Sequence, residues 1–278
     1  MNILITGANG YLAKKLIKEL ASKTKHNLTL LVRKDSNVND LQRYANNDGI
    51  IFYDGSIESL KFLKQFKIDI VFHLANYYPD IKRLHDPVEI IGSNFLLIAN
   101  IISTLENTNN YRIINISSYV TVGDQNSLYG ITKQAAQNYI SIIGGENYIL
   151  YDTYGANDPR SKLINSLIYH SKTKEKLKMK KSKNSQIKLI YIKDVISAFM
   201  LAIEKQQQSI CKISTETLTL KEVIDTFNNI SKQEVNVEWP EDKVNQYILP
   251  EIDQNIKGVE GWKPRYNLVT GLTELLRS

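Results

Sequence analysis

Asn-Ile-Leu-Ile-Thr-Gly-Ala-Asn-Gly-Tyr-Leu-Ala, residues 2–13, is a short apolar run that leads directly into a glycine-rich turn. Leucine and isoleucine then recur every three or four positions, which is the spacing of one helix face. The stretch therefore predicts a buried strand, a tight turn at Gly7 and Gly10, and a helix packed closely through Ala13. The N–H groups and dipole of such a helix N-terminus attract a pyrophosphate. A simple tight turn is the alternative, but the strand–turn–helix setting favours a dinucleotide site.

The composition is that of a globular protein. Its 278 residues are 42% hydrophobic and 23% charged, and suit one large domain or one domain with an appendage. The net charge of +6 is scattered, without an aromatic–basic array, so no nucleic-acid partner is predicted. The single cysteine, Cys211, excludes an intrachain disulfide and a thiolate metal cluster. No signal peptide and no stretch near the roughly 18 to 20 apolar residues of a membrane span are seen, which predicts a cytoplasmic protein.

Strand and helix patterns alternate through the first half of the chain. The predicted strands are 2–6, 28–32, 50–53, 68–74, 111–116 and 147–151. The predicted helices are 11–22, 57–66, 88–106 and 126–143. Such alternation is typical of an α/β fold, a Rossmann-type doubly wound parallel sheet with helices on both faces.

After residue 155 the pattern becomes less regular. Seven lysines lie within 172–183, and they indicate either a solvated face or a loop that gathers phosphates. Thr219 and Glu222 have the spacing of a capping box at the start of a helix. We expect a nucleotide-binding domain at 1–155 plus 186–214, with a small interwoven substrate-binding lobe at 156–185 and 215–278.

Tyr129 and Lys133 carry the second chemical signal. Residues four apart share a helix face, and an ammonium near a phenol lowers the pKa of the phenol from about 10. Such a tyrosine can exchange a proton with a carbonyl or alcohol oxygen during hydride transfer. Ser118 ends a predicted strand, and hydroxyls at that end of a strand face the ligand crevice of open α/β sheets.

Together these residues resemble the extended short-chain dehydrogenase/reductase family, in its NAD-dependent epimerase/dehydratase (nucleotide-sugar) branch. The resemblance runs nearly end to end and includes His73-Leu74-Ala75, the loop 151–156 and Gly261-Trp262-Lys263-Pro264. It implies that Ser118, Tyr129 and Lys133 are catalytic and that Asn94 supports them. The cofactor contacts implied by the resemblance, or by the residues themselves, are Gly7, Asn9, Gly10, Tyr11, Leu12, Arg33, Lys34, Ser56, Ile57, Leu74, Ala75, Asn76, Tyr129 and Lys133.

Two departures from the family pattern concern the binding of phosphate groups. The second strand ends in Arg33-Lys34, without the acidic residue that would hold an NAD ribose, so these cations favour the 2′-phosphate of NADP(H). A basic surface turn is the alternative. Ile187-Lys188 stands where relatives often carry an arginine for the nucleotide phosphates, so that contact is not carried over.

The residues that follow Ser118 narrow the range of reactions that this chain could catalyse. Dehydratases of this branch carry an Asp-Glu pair just after the catalytic hydroxyl, whereas Tyr119 and Val120 follow here. Within the branch the chain looks most like the CDP-abequose and CDP-paratose synthases, which reduce the C4 ketone of a nucleotide-linked 4-keto-6-deoxy sugar with NADPH. That resemblance implies sugar contacts at Tyr78, Ser118 and Asp152, and a role in bacterial surface-polysaccharide (lipopolysaccharide) synthesis.

Two other functions stay open. One is a nucleotide-sugar 4-epimerase that retains NAD(P), and the other is a non-catalytic NADP-sensing protein. The resemblance also implies a homodimer through the helix that bears Tyr129, with Ile140, Ile142 and Ile143 either at that interface or on the sheet. His73 is expected to be structural, and the scattered histidines, of which His85 is one, give no metal site.

Overall fold

The computed structural model describes residues 1–46, 48–78, 86–106, 110–123, 127–240, 246–250, 252 and 254–277; His85 lies outside them. The chain forms two compact units. The first unit comprises Met1–Leu150, Phe199–Lys212 and Ile252–Glu260, and the second unit comprises Tyr151–Ala198, Ile213–Glu251 and Gly261–Ser278. The predicted division into a nucleotide-binding domain and a substrate-binding lobe stays a prediction.

Seven strands form the central sheet. They are β1 (Asn2–Thr6), β2 (Asn27–Arg33), β3 (Ile50–Tyr53), β4 (Ile70–His73), β5 (Arg112–Ser118), β6 (Glu146–Leu150) and β11 (Ile210–Ile213). Their order is β11-β6-β5-β4-β1-β2-β3, and β1 to β6 pair in parallel. The strand order reverses at β1 and β4, the place where open α/β sheets bind ligands. The predicted Rossmann-type fold is confirmed.

The longer helices of this half lie where the pattern predicts them. Its helices are α1 (Tyr11–Lys23), α2 (Pro87–Ile91), α3 (Leu97–Leu105), α4 (Val120–Gly123) and α5 (Leu128–Ile142), and a π-helical turn at Gly92–Leu96 joins α2 to α3. The predicted helix at 57–66 is instead a 3-10 helix, Glu58–Gln65, and a second 3-10 turn spans Gln42–Tyr44.

Alternate strand residues place helices on both faces of the sheet. Val71 and Ile113 pack in one cluster with residues of α3 and α5, such as Ile98. The neighbouring residue Phe72 points to the opposite face and meets Phe199 of α7 (Ile192–Glu204), with ring centroids 5.3 Å apart.

The helix over Pro87–Leu105 corrects one prediction. It is 19 residues long and apolar enough to cross a membrane by length and composition, although the sequence indicated no such stretch. Gly92, Ser93 and Asn94 interrupt the apolar run in sequence but do not interrupt the helix. Because Ile98 and its neighbours in α3 pack in the core, this helix is weak evidence for a membrane span.

Short strands and longer helices build the second unit. Its strands are β7 (Asp152–Tyr154), β8 (Leu177–Lys178), β9 (Gln186–Ile187), β10 (Leu189–Tyr191), β12 (Leu218–Thr219) and β13 (Val237–Glu238). They pair two by two, as β7 with β10, β9 with β12 and β8 with β13. Its complete helices are α6 (Leu163–Thr173), α8 (Leu220–Ser231) and α9 (Leu268–Arg277). The predicted capping box of Thr219 and Glu222 is present at the start of α8.

Candidate active site

The turn between β1 and α1, residues 7–10, has a geometry that requires glycine. Gly7 has a φ of +62°, in the left-handed region. A Cβ placed on it would lie 2.7 Å from the Cα of Ala75, so only glycine lets the turn approach the end of β4 this closely. The N–H of Gly10 donates to the carbonyl of Gly7 (2.8 Å) and closes the turn.

The N-terminus of α1 fits an anionic ligand. Its N-cap residue, Gly10, has no side chain that could cap the helix. The first turn, which includes Tyr11 and Leu12, holds no acidic side chain. The helix itself has no acceptors for the N–H groups of that turn. Beside it, Asn9 Oδ1 is buried and receives no hydrogen bond from the described part of the chain. The turn therefore fits a pyrophosphate at the helix terminus and a hydroxyl donor at Asn9.

Thr6 joins the ends of the neighbouring strands β1 and β4. Its hydroxyl oxygen accepts the N–H groups of Leu74 (3.1 Å) and Ala75 (3.0 Å). Its own hydrogen is therefore donated to His73 Nδ1, 2.9 Å away. Burial, followed by the charge of Lys133, lowers the pKa of His73 to about 3, so the ring is neutral with its proton on Nε2. This neutral histidine is a structural link, as expected.

The carboxyl ends of β2 and β3 carry the other predicted cofactor residues. Arg33 and Lys34 are both exposed at the end of β2. Beyond β3, the hydroxyl and N–H of Ser56 donate to Asp54 (2.6 and 2.9 Å), and these bonds lower the pKa of Asp54 to about 2. Ile57 is 40% exposed beside them. The end of β2 thus exposes two cationic side chains to solvent, and the end of β3 is followed by a small polar turn.

Tyr129 lies at the start of α5, against the segment that follows β4. Ser127 caps the helix by accepting the N–H of Gly130 (3.0 Å). The Tyr129 hydroxyl accepts a hydrogen bond from Asn76 Nδ2 (3.3 Å). The Tyr78 ring meets the Tyr129 ring edge to face at 4.8 Å and is 69% exposed. The phenol therefore has an amide and a second aromatic ring as immediate neighbours.

Lys133 lies one turn further along the same face of α5 and is almost fully buried. Its side chain is 2% exposed, and Nζ donates to the carbonyl of Ile116 in β5 at 2.6 Å. Burial lowers the pKa of Lys133 to about 8. The expected effect of this ammonium on the pKa of Tyr129 stays a prediction.

Asn94 lies in the π-helical turn and fixes the segment that carries Asn76 and Tyr78. Its Oδ1 accepts the N–H of Tyr77 (2.7 Å), and its Nδ2 donates to the Tyr77 carbonyl (3.1 Å) and to Thr132 Oγ1 (3.3 Å). The side chain is fully buried. Asn94 therefore ties this segment to α5 beside Tyr129 and Lys133, and π-helical turns recur at functional sites.

Ser118 ends β5 and is half-buried, with its hydroxyl oxygen 3.4 Å from the N–H of Val120. Its neighbour Ser117 instead donates to Gln137 of α5 (2.7 Å), because successive strand residues point to opposite faces. The glycine turn follows β1, Leu74-Ala75 follows β4 and Ser118 ends β5, and these three strands are neighbours in the sheet. They share its carboxyl edge.

Asp152 belongs to the second unit, at the start of β7. Its carboxylate forms an ion pair with Lys162 (3.3 Å). The predicted sugar contact at this residue stays a prediction.

A cavity of about 790 Å³ lies at the other edge of the sheet, by the amino ends of β4, β5 and β6. It is lined by Asp69 and by Arg112 and Glu146, which form an ion pair (2.7 Å). None of the predicted site residues lines it. Cavity size therefore does not locate the site in this fold.

The family model for the NAD-dependent epimerase/dehydratase family matches residues 3–213. The chain belongs to this family. Among curated proteins it is similar to CDP-abequose synthase from Yersinia pseudotuberculosis, with 25% identity over 85% of this chain and 87% of that protein.

Solved structures of this family share the fold. UDP-glucuronic acid 4-epimerase from Bacillus cereus, in complex with NAD, superposes with a TM-score of 0.78 at 17% identity over 100% of this chain and 96% of that one. UDP-glucose 4-epimerase from Thermotoga maritima, with UDP-glucose, gives 0.76 at 19% identity over 100% and 98%. The family prediction is confirmed, and these structures show the fold alone.

Sequence patterns do not identify two groups of residues of this chain, or identify them only in part. Thr6 and Thr132 connect elements that are far apart in the chain, so only their hydrogen bonds reveal them. In the second unit, lysine and tyrosine side chains pair across long sequence distances.

Within the described residues no group of three histidine, cysteine or acidic side chains is placed to hold a metal ion.

Proposed function

We propose that this protein reduces the C4 ketone of a nucleotide-linked 4-keto-6-deoxy sugar with NADPH, in the synthesis of sugars for a bacterial surface polysaccharide. The observation that carries this is Tyr129, whose hydroxyl faces Asn76 and Tyr78 one helical turn from the buried ammonium of Lys133. The similarity to CDP-abequose synthase, a relative named for a sugar nucleotide, supports the substrate class.

The residues present fit the dinucleotide. The glycine turn and the N-terminus of α1 would hold the pyrophosphate, and Asn9 would accept a hydrogen bond from a ribose hydroxyl. Arg33 and Lys34 would pair with a 2′-phosphate, and Ser56 and Ile57 would border the adenine. The second-strand cations support NADP(H), whereas an acidic residue there would support NAD.

When bound, the nicotinamide supplies the hydride. Tyr129 would donate its proton to the carbonyl oxygen, and Ser118 would donate a hydrogen bond to the same oxygen. Bonds that strengthen as this oxygen gains negative charge stabilise the transition state selectively. Lys133 would hold the nicotinamide ribose and favour ionisation of Tyr129, while Asn94 keeps Tyr77 and its neighbours in place. Tyr78 and Asp152 would contact the sugar.

We also propose a homodimer. Ile131 and Ile142 are 50% and 81% exposed on one face of α5, and Val88 on the adjacent helix is 77% exposed. The two helices pack together through Phe95 and Tyr139, with ring centroids 6.2 Å apart. A second copy would cover this apolar face and explain why only 39% of the apolar stretch in Pro87–Leu105 is buried. A cytoplasmic location is part of this proposal.

The test is NADPH oxidation with CDP-, dTDP-, UDP- and GDP-linked 4-keto-6-deoxyhexoses, with product stereochemistry read by NMR. A reductase consumes NADPH stoichiometrically. The alternative, favoured by the epimerase names of the structural neighbours, is a 4-epimerase, which interconverts an intact nucleotide hexose without net NADPH consumption.

Tyr129→Phe separates catalysis from cofactor sensing. A catalyst should lose turnover by about 10²- to 10⁴-fold and still bind NADPH, since only the proton donor is removed. Unchanged turnover would contradict the role of Tyr129.

A further inference from the structure

The side-chain amide of Asn76 contacts the atom of Tyr129 that the proposed reaction uses. Asn76 Nδ2 donates a hydrogen bond to the phenolic oxygen at 3.3 Å. The family resemblance predicts Asn76 as a cofactor contact. A donor on the phenolic oxygen has a different consequence, because it acts on the acidity of the residue that gives the proton.

The backbone that carries Asn76 is anchored on both sides. Before it, the N–H of Ala75 donates to Thr6 Oγ1 at 3.0 Å. After it, Asn94 accepts the N–H of Tyr77 (2.7 Å) and donates to the Tyr77 carbonyl (3.1 Å). The Asn76 side chain is exposed, but it extends from a backbone whose two neighbouring residues are fixed by hydrogen bonds.

Asn94 also anchors the helix that carries Tyr129. Its Nδ2 donates to Thr132 Oγ1 (3.3 Å), and Thr132 lies three residues after Tyr129 in α5. The Asn94 side chain is fully buried. One buried amide therefore holds both the segment of Asn76 and the helix of Tyr129, so the contact between them is supported from behind.

A donor on a phenolic oxygen favours the ionised form of the phenol. A hydrogen bond to an ion is roughly twice as strong as one between neutral groups. The amide of Asn76 therefore stabilises the phenolate of Tyr129 more than the neutral phenol, which lowers the free energy of losing the proton.

A second asparagine–tyrosine pair of the first unit gives the direction of this effect. Asn100 Nδ2 donates to the hydroxyl oxygen of Tyr53 at 3.1 Å, and that hydroxyl donates to the carbonyl of Gly55 (3.0 Å). Burial raises the pKa of Tyr53, and the hydrogen bond from Asn100 acts against that rise. The bond from Asn76 to Tyr129 joins the same two atom types, so its effect has the same sign.

The neighbouring groups differ from Asn76 in how they respond to pH. Lys133, one turn along α5, is a cation, and burial lowers its pKa to about 8. His73 is neutral near pH 7, because burial and then the charge of Lys133 lower its pKa to about 3. Tyr78 contributes the ring that meets Tyr129 edge to face. The amide of Asn76 does not titrate, so it stays a donor where Lys133 loses its proton.

We infer, on the basis of the proposed function, that Asn76 is a further catalytic residue, whose amide stabilises the phenolate formed when Tyr129 gives its proton to the ketone oxygen. In that step the phenolic O–H bond breaks and the O–H bond of the alcohol forms, while the carbonyl carbon receives the hydride of NADPH. The electron pair of the broken bond stays on the Tyr129 oxygen, to which Asn76 Nδ2 donates. Water later returns a proton to that oxygen.

The experiment measures the ionisation of Tyr129 in the full chain without cofactor or substrate. Tyrosine labelled with ¹³C at Cζ reports ionisation by NMR, and the signal of Tyr129 is the one lost in Tyr129→Phe. Asn76→Leu removes the donor at a similar volume and should raise the pH midpoint of this signal by about one pH unit. Asn76→Asp places an acceptor-only carboxylate there and should raise the midpoint further.

Asn100→Leu is the matched control. It removes the same type of hydrogen bond from Tyr53 and should leave the midpoint of Tyr129 unchanged. Thermal unfolding and NADPH affinity should be the same in Asn76→Leu as in the unsubstituted chain, because the Asn76 side chain is exposed. These two measurements separate an effect on Tyr129 from a folding defect or a lost cofactor contact.

Turnover gives a second reading. With a keto sugar that the unsubstituted chain reduces, Asn76→Leu should lower kcat by about three- to tenfold near pH 7, because a weaker acid transfers its proton more slowly. The KM of the sugar should change little, since the amide acts on Tyr129.

The outcomes distinguish the role of Asn76 from the proposed reaction. An unchanged or lower midpoint in Asn76→Leu would overturn that role, as would an equal rise in Asn100→Leu. Weaker NADPH binding without a change of the midpoint would also overturn it and make Asn76 a cofactor contact. If the midpoint rises but the unsubstituted chain reduces no keto sugar, the effect of Asn76 on Tyr129 stands and the reductase proposal fails.

Discussion

The two units of this chain differ in how their chemical residues are brought together. In the first unit, Thr6, Gly7, His73 and Ser118 lie at or just after the ends of parallel strands. They lie at one edge of the sheet because neighbouring parallel strands end there, and the Thr6 and His73 side chains are hydrogen-bonded to each other. In the second unit, Lys181 lies over the ring of Tyr247 and Lys188 over that of Tyr151, and the strands of this unit are two or three residues long.

The difference concerns burial as well as distance. Lys133 and Asn94 are almost fully buried, and each is held by a specific hydrogen bond. Lys181 is exposed, and its ammonium lies over the ring of Tyr247. The polar side chains of the first unit are thus buried and hydrogen-bonded, whereas this cation of the second unit is exposed. The following predictions test that contrast.

The largest effect is expected at the buried ammonium of the first unit. Lys133→Met should lower turnover by about a thousandfold, because it removes the group that we propose holds the ribose and favours Tyr129 ionisation. It should not lower the melting temperature, since burial opposes the charged form of Lys133 and methionine fills a similar volume. Steady-state kinetics and calorimetric melting check the two parts; a large drop in melting temperature would show that Lys133 is needed for stability.

The next effect concerns the glycine turn. Gly7→Ala should weaken NADPH binding by about a hundredfold or more, because its Cβ would collide with the Ala75 backbone at a φ of +62°. Fluorescence titration of NADPH measures this. Gly92→Ala is the control: nothing lies within 4 Å of its Cβ, so cofactor affinity should not change. Normal affinity in Gly7→Ala would refute the turn as the pyrophosphate site.

The second unit has its own close approach, at Gly271. A Cβ there would lie 2.0 Å from the Tyr154 hydroxyl and 3.0 Å from the ring carbon that bears it. Gly271→Ala should cost about 1–3 kcal/mol of unfolding free energy. Tyr154→Phe removes the colliding hydroxyl, so the double variant should recover part of that loss in urea unfolding. If the effects of the two substitutions on the unfolding free energy are strictly additive, the contact with the Tyr154 hydroxyl does not cause the loss of stability in Gly271→Ala.

The smallest effect is the pH dependence at His73. The pKa of His73 is about 3 in the folded protein and about 6.5 in the unfolded chain, so between these values only the unfolded chain binds the proton. Stability should therefore fall as pH drops from about 6.5 toward 3. Between pH 7 and 5 the chain should lose about 2 kcal/mol more than His73→Asn in urea unfolding. NMR of the folded protein at pH 5 should show a neutral ring protonated at Nε2, and an imidazolium signal would contradict the assignment.

Much of the first unit was predictable because its signals are local. A strand, a turn and a helix follow one another in residues 2–23, and Tyr129 and Lys133 are one helical turn apart. Local patterns could not show that Asn94 lies in a π-helical turn and bonds the Tyr77 backbone, or that 58–65 forms a 3-10 helix. The sequence does not decide whether Ile140 faces the sheet or an interface; in the structure it is buried in the core, whereas Ile142 and Ile143 are exposed.

By itself the sequence determined the doubly wound sheet, the glycine turn and the family, because hydrophobic periodicity and glycine conformation act over a few residues. Tertiary structure alone decided which lysines are paired, which hydroxyls link β1 to β4, and where the tyrosines of the second unit lie. These choices depend on burial and on contacts between distant segments, and an ammonium has the same sequence signature whether it meets a carboxylate, a carbonyl or an aromatic ring.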